Sequence, residues 1–169
     1  MRGMGFLRGN GKLVAWSTVF VVTQGAIVRV LGPAAGIAVL RTQTAPSARA
    51  YLAALDGLDG VQTVRYRRHF YVDFVHPLVY AVALRAGVRR LDELAPLPPA
   101  AKRILLAAPV ASAAGDYLEN VAGLYLLDHR DRVTDPVIRT TTAISTTKWV
   151  LALGTLAYLT RGFARAWRR

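Results

Sequence analysis

Cysteine is absent from this chain of 169 residues, which excludes disulfides, thiolate metal centres and thiol catalysis. Carboxylate, histidine, lysine, tyrosine and hydroxyl chemistry remain. Acidic residues are scarce, 10 against 22 lysines and arginines, and the net charge is +12. The basic residues sit at the ends of apolar segments and form no long run, so membrane topology accounts for them better than nucleic acid does. No nucleic-acid partner is expected. Internal repeats and low-complexity tracts are also missing, and residues 1–169 read as one domain. A hard or borderline metal could draw on Asp73, His76, Asp116 and Glu119, but no paired-histidine spacing of the HExxH kind occurs. Neither a metal nor another cofactor is expected.

What the chain does have is apolar length: 53% of its residues are hydrophobic and its mean hydropathy is +0.30. Four segments approach the run of about 20 apolar residues that crosses a bilayer: Leu13–Leu31, Phe70–Ala86, Ile104–Leu127 and Val137–Thr160. The fold class this predicts is all-α, an integral-membrane four-helix bundle. With four spans both termini share a side. That side carries Arg2, Arg8, Lys12, Arg85, Arg89, Arg90, Lys102, Arg103, Arg161, Arg165, Arg168 and Arg169. The other carries Arg41, Arg49, Arg65, Arg67, Arg68, Arg130, Arg132 and Arg139, offset by Asp56, Asp59, Asp128, Asp131 and Asp135. Counting basic residues near span ends places both termini in the cytoplasm of a multi-pass cell-membrane protein. A cleaved secretory signal fits less well, because the first apolar run continues through Gln24, Arg29 and Gly32-Pro33 without a small-residue cleavage site.

The first connection, from about Gly32 to His69, is too long for a hairpin turn. Thr44-Ala-Pro-Ser47 reads as a helix start, with proline in the first turn. Tyr51, Leu52, Leu55 and Leu58 then recur at helical spacing, which predicts a short amphipathic helix on the outer interface. It would cover the bundle or act as a lid. Pro96-Leu-Pro-Pro99 makes a stiff second turn, and Asp128–Pro136 a short charged third one.

Ionisable residues lie inside these apolar segments, where even lenient scales charge roughly 2.5 to 3.5 kcal/mol for each. Asp116, Glu119 and Asn120 stand at i, i+3 and i+4 on one face of the third span, extended by Ser112 and Gly123. Asp73, His76 and Tyr80 repeat the pattern on the second, and Thr141, Ser145 and Lys148 on the fourth. A rise of about 1.5 Å per residue puts Glu119 and Lys148 at matching depth, about 13 and 14 Å below the outer boundary. The seams should face one another, because lipid cannot satisfy them. A polar pocket in the outer half of the bundle follows. As a purely structural network it would pair Lys148 with Glu119 or Asp116, and Arg29 with Asp73. Two cations against three carboxylates leave one acid unmatched, and an unmatched carboxylate out of water favours its protonated form. His76 next to Pro77 also suits a hydrogen-bonded interior group at a helix kink. His69 and His129 fall at span boundaries and are expected in solvent. Trp149 and Tyr80 lie deep enough to line the pocket, though core packing is the commoner role for such residues.

The stretch Tyr66-Arg-Arg-His-Phe-Tyr-Val-Asp-Phe-Val-His-Pro-Leu-Val-Tyr80, with Asp116-Tyr-Leu-Glu-Asn120 and Thr147-Lys-Trp149, resembles a group of small bacterial four-span membrane proteins. A weaker similarity is to the EXPERA group of sterol isomerases and sigma-2-type receptors. There an acidic residue followed by proline and an aromatic helps form a lipid-binding pocket, a pattern that Asp73, Pro77 and Tyr80 fit loosely. That resemblance implies paired acids that move a double bond by protonation and deprotonation. Asp116 and Glu119 match it in role alone. Membrane-bound terpene cyclases use a similar logic.

The expected function is a membrane-embedded isomerase or cyclase acting on a lipophilic unsaturated substrate, terpenoid or polyketide-like, by acid–base chemistry. Glu119 or Asp116 would be the acid and Asp73 or His76 the base. Lys148 and Asn120 would tune them, and Tyr80, Trp149 and Arg29 would complete the substrate pocket. The alternative is a non-catalytic lipid-binding or assembly protein, or a small proton-coupled transporter; the inverted repeats typical of transporters are not evident.

Overall fold

The computed structural model describes residues 3–168, with side chains from Gly9 onward. Arg2 and Arg169, counted above among the basic residues, lie outside the described residues, as does the side chain of Arg8. The described residues form α1 (Gly3–Gln43), α2 (Ala48–Asp56), α3 (Gly60–Asp73), α4 (His76–Leu94), α5 (Pro99–Asp128) and α6 (Asp135–Ala166), with a 3-10 turn at Arg130–Arg132. No strand occurs among them. The all-α expectation holds.

The helices run further than the apolar segments that announced them. α1 continues to Gln43, well past Leu31, but Gly32 has φ +66° and Pro33 follows it inside the helix. A left-handed residue cannot continue a straight right-handed helix, so α1 bends there, and glycine is the residue that takes this conformation without Cβ strain. The segment expected to be mostly loop is therefore largely helical: the second limb of α1, then α2, then α3. Ser47 caps α2 by accepting from the Ala50 amide at 3.2 Å, so Pro46 precedes the cap instead of filling the first turn. Tyr51 and Leu55 are buried, as an amphipathic helix requires. α3 starts with a reciprocal capping box, Asp59 accepting from the Gln62 amide and Gln62 from the Asp59 amide.

The second apolar segment is not one helix. α3 ends at Asp73 and α4 starts at His76, with Pro77 in its first turn. Pro77 has no N–H to offer the carbonyl of Asp73, so the ladder breaks at the point where the His-Pro pair suggested a kink. α5 and α6 contain the third and fourth segments whole.

Among the described residues one helix, over Gly9–Gln43, is long and apolar enough to cross a membrane. α5 and α6 have the length, 30 and 32 residues, but their polar seams dilute them. A four-span bundle is thus not established by length and hydropathy.

Packing positions the site. α1 lies against α3 and α4, α4 against α5 and α6, and α5 against α6, while α1 and α6 barely touch. The bundle is open along the α1–α6 side, with α4 as its floor. Small residues let the others approach: a Cβ on Gly123 would stand 2.6 Å from the Phe70 ring, and one on Gly115 3.2 Å from Cβ of Lys148. At one end Lys102 binds Asp92 at 2.6 Å and Arg90 binds Glu93 at 2.9 Å; Lys102, with the Leu97 amide, holds the Asp92 carboxyl below the ordinary carboxylate range. At the other, Arg67 pairs with Asp128 and Arg130 with Asp56, and Arg67 likewise lowers Asp128. α2 is tied to α6 there, its Ala48 amide donating to Asp135 at 2.8 Å and Thr142 donating to the Ala45 carbonyl at 2.8 Å.

Candidate functional site

The open α1–α6 side leads into a cavity of about 430 Å³. Its walls are Leu13, Phe20, Ile27 and Leu31 of α1 and Ala152, Leu153, Leu156 and Phe163 of α6, with Ala83, Leu84 and Gly87 of α4 at its floor. One end is apolar. The other ends on Asp73, His76, Asp116, Lys148, His69 and Gln43. The distance along α6 from Lys148 to Phe163 is on the order of 22 Å.

Lys148 is the hub of the polar end. It is 5% exposed, its ammonium donates to Asp116, and it lies 3.0 Å from Oε1 of Glu119. The seams on α5 and α6 thus face each other as their spacing predicts. Glu119 also accepts from Gln43 Nε2 at 2.6 Å and from the Ser145 hydroxyl. Gln43 in turn accepts the indole N–H of Trp149 at 3.2 Å, which joins the tip of α1 to α6. Ser112 donates to the Lys148 carbonyl at 2.8 Å; its one proton being used, the Tyr80 hydroxyl at 3.0 Å is the donor to Ser112.

Arg29 does not take the place expected for it. It is exposed on α1 and absent from the cavity lining, and its pairing with Asp73 is replaced by none among the described residues. Its position on the outer arc of α1, away from α4, accounts for this. The balance at the site becomes one cation, Lys148, against three carboxylates. Asp116 and Glu119 share that cation; Asp73 stands beside Asn120, which is 1% exposed.

The two acids on α5 also part company. Asp116 lines the main cavity, whereas Glu119 lines a second chamber of about 30 Å³ with Thr42, Tyr51, Tyr66, Thr141 and Ser145. Val39, Gln43 and His69 border both spaces and form the partition between them. The 3.6-residue period explains the split: three positions turn Glu119 about 60° from Asp116, enough to send the two carboxylates into different spaces.

Both histidines near the site have defined roles in hydrogen bonding. Thr23 Oγ1 donates to the Phe20 carbonyl at 3.1 Å, so His76 Nδ1, 2.8 Å away, donates to that hydroxyl and leaves Nε2 as a free acceptor. His69 was expected in solvent, yet it is 5% exposed. Its Nδ1 bonds the Tyr66 carbonyl, which can only accept, so Nε2 again carries the lone pair. The signal for His69 was present in the chain. His69, Asp73, His76 and Tyr80 stand at i, i+4, i+7 and i+11, one helical stripe, and all four line the cavity. Gln43 had no such signal, because only the bend at Gly32 directs its limb of α1 toward α5.

Among the described residues no group of three His, Asp or Glu side chains is placed to hold a metal ion. The arrangement can bind a lipophile along its apolar length and expose one part of it to two carboxylates and two imidazole acceptors. No known protein family, no curated protein and no solved structure matches the chain.

Proposed function

We propose that this protein is a membrane-embedded acid–base isomerase or cyclase whose substrate is a lipophilic, unsaturated molecule, terpenoid or polyketide-like. The observation that carries the reading is the shape of the cavity: a long apolar trough that ends on Asp73, Asp116 and His76. Asp116, which unlike Glu119 faces the trough, is the acid, and Asp73 or an imidazole facing it is the base. Lys148 tunes them from the cavity's polar end and Glu119 and Asn120 from behind it, and Tyr80 and Trp149 line the substrate's path.

The membrane setting draws on more than α1. Val21, Val22 and Val28 on α1, Leu78 on α4, Leu118 and Val121 on α5, and Val150 on α6 are all exposed and line no part of the cavity. Large apolar side chains facing outward on four helices suit lipid better than water. With the ends of the bundle charged, this supports four spans, α1, α4 with the end of α3, α5 and α6, in the cell membrane, both termini in the cytoplasm. The open α1–α6 side then faces lipid, and membrane lipid is the medium from which substrate arrives.

The test is turnover of unsaturated lipophiles by protein in lipid nanodiscs, followed by mass spectrometry and deuterium incorporation from heavy water. Asp116→Asn should lower the rate by about 100-fold or more, the usual contribution of a positioned proton donor. Full deuterium incorporation by Asp116→Asn and Asp73→Asn alike would refute the reading. A lipid-binding protein without catalysis is then left, an outcome favoured by the fact that Lys148 already pairs two of the three acids.

A further inference from the structure

We propose that the lipophile is an alcohol, its hydroxyl held between His76 on α4 and Gln24 on α1. The inference rests on the reading of the trough as a lipophile's site. Thr23 accepts from His76 Nδ1 at 2.8 Å, so its neighbour Gln24 stands at the level of the imidazole in the trough lining. The Phe20 and Tyr80 rings, 5.1 and 5.8 Å from that imidazole, hold it in place. With its proton on Nδ1, the ring offers Nε2 as an acceptor. Among the described residues the sealed side-chain polar atoms without a partner are Arg85 Nε and Asn120 Nδ2. His76 Nε2 is not one of them, so it is open to the trough that His76 lines. Gln24 is exposed at the open α1–α6 side and makes no hydrogen bond among the described residues. In a cleft that faces lipid, its amide has no water to turn to.

The other donors at the polar end are already committed. Lys148 serves Asp116 and Glu119 and lies 5.5 Å from the centroid of the Trp149 ring. The Tyr80 hydroxyl donates to Ser112 and the Gln43 amide to Glu119, while the free N–H groups of Asn120 are sealed from the trough. A ligand head therefore meets one acceptor, His76 Nε2, and one amide donor, Gln24, at the same level. A hydroxyl donates one hydrogen bond and accepts another, so it satisfies both. An ether or carbonyl only accepts and leaves His76 unpaired, whereas an ammonium only donates and leaves the Gln24 N–H unpaired. A carboxylate or phosphate meets three carboxylates and a single cation, a like-charge contact that rejects it. With the hydroxyl on His76, the adjoining part of the chain lies before Asp116 and Asp73. His76 then binds substrate, and the base is drawn from Asp73 and His69.

The probes are geranylgeraniol, its methyl ether and geranylgeranylamine, dosed as mole fractions of the lipid in phosphatidylcholine nanodiscs that hold the whole protein. Binding is read from the emission of Trp149, which lines the trough, in a Trp16→Phe, Trp167→Phe background that removes the other two tryptophans. The alcohol should bind about tenfold more tightly than the ether, the worth of one hydrogen bond. His76→Phe, which keeps a ring between Phe20 and Tyr80, should remove that difference. Gln24→Leu, at an exposed position, should weaken alcohol and ether alike, because both accept from the amide. Equal binding of alcohol and ether with His76 and Gln24 intact overturns the proposal. So does a difference that survives His76→Phe, or an amine that binds more tightly than the alcohol. The comparison of the three probes needs neither of the two site variants to fold, and no turnover. Its failure beside a loss of turnover in Asp116→Asn leaves the isomerase with a substrate of another head group. The expected pattern beside full deuterium incorporation by Asp116→Asn and Asp73→Asn removes the isomerase and leaves a protein that binds lipophilic alcohols.

Discussion

Lys148 is the residue on which the interior depends. It is nearly inaccessible and holds two carboxylates from successive turns of α5, so its removal leaves two largely buried acids without a cation. Breaking one partner of such a buried group typically costs about 3 to 5 kcal/mol, even where the intact pair adds little. Lys148→Met should therefore destabilise the protein by at least about 3 kcal/mol, read as a lower midpoint in detergent-monitored unfolding. Lys148→Met combined with Asp116→Asn and Glu119→Gln should recover part of that loss. Equal midpoints for the parent and the single variant would mean that the carboxylates discharge themselves without the ammonium. The same residue scale shows what a linear reading can find. Asp116, Glu119 and Lys148 were legible because helical spacing and depth are arithmetic on the chain. His69 was passed over because its place at the edge of an apolar run suggested solvent, while the packing of Tyr66, Phe70 and Gly123 around it closes that edge.

At the scale of elements, the bend in α1 does the most to shape the site. Gly32 at φ +66° turns the second limb so that Gln43 meets Glu119 and Trp149. An alanine there meets the left-handed penalty of about 1 to 2 kcal/mol, and its Cβ would stand 2.9 Å from the Arg65 guanidinium. Gly32→Ala should lower the unfolding midpoint by an amount near that penalty, whereas Gly36→Ala, with open space around its Cβ, should leave it unchanged or raise it. Equal effects at both positions would remove the bend from the account. Gly32-Pro33 was visible as a boundary in the chain; that the helix resumes beyond it was not, because a bend and a helix end share the same local signal. The capping residues Ser47 and Asp59 are local too, and their helices begin where those side chains find a backbone amide.

For the whole molecule the proposed four-span topology turns on which side each end faces. The absence of cysteine makes this testable without background: the single substitutions Ala100→Cys and Arg168→Cys each place one thiol at one end of the bundle, and Asp131→Cys places one at the other. In intact cells a membrane-impermeant maleimide should label Asp131→Cys, while Ala100→Cys and Arg168→Cys react only after lysis. Labelling of all three in intact cells would remove the four-span topology.

Composition and periodicity determined that the chain is helical, that its charges gather at the ends, and that three polar seams sit on identifiable helix faces. These are properties of short segments, set by the 3.6-residue repeat and by the cost of polar groups in apolar surroundings. Tertiary structure alone decided that Arg29 turns outward, that Asp116 and Glu119 serve different chambers, that His69 divides them, and that the cavity opens between α1 and α6. Each of these depends on how far apart two helices come to rest, which is set by side chains distant in sequence, such as Gly115 against Lys148 and Gly123 against Phe70.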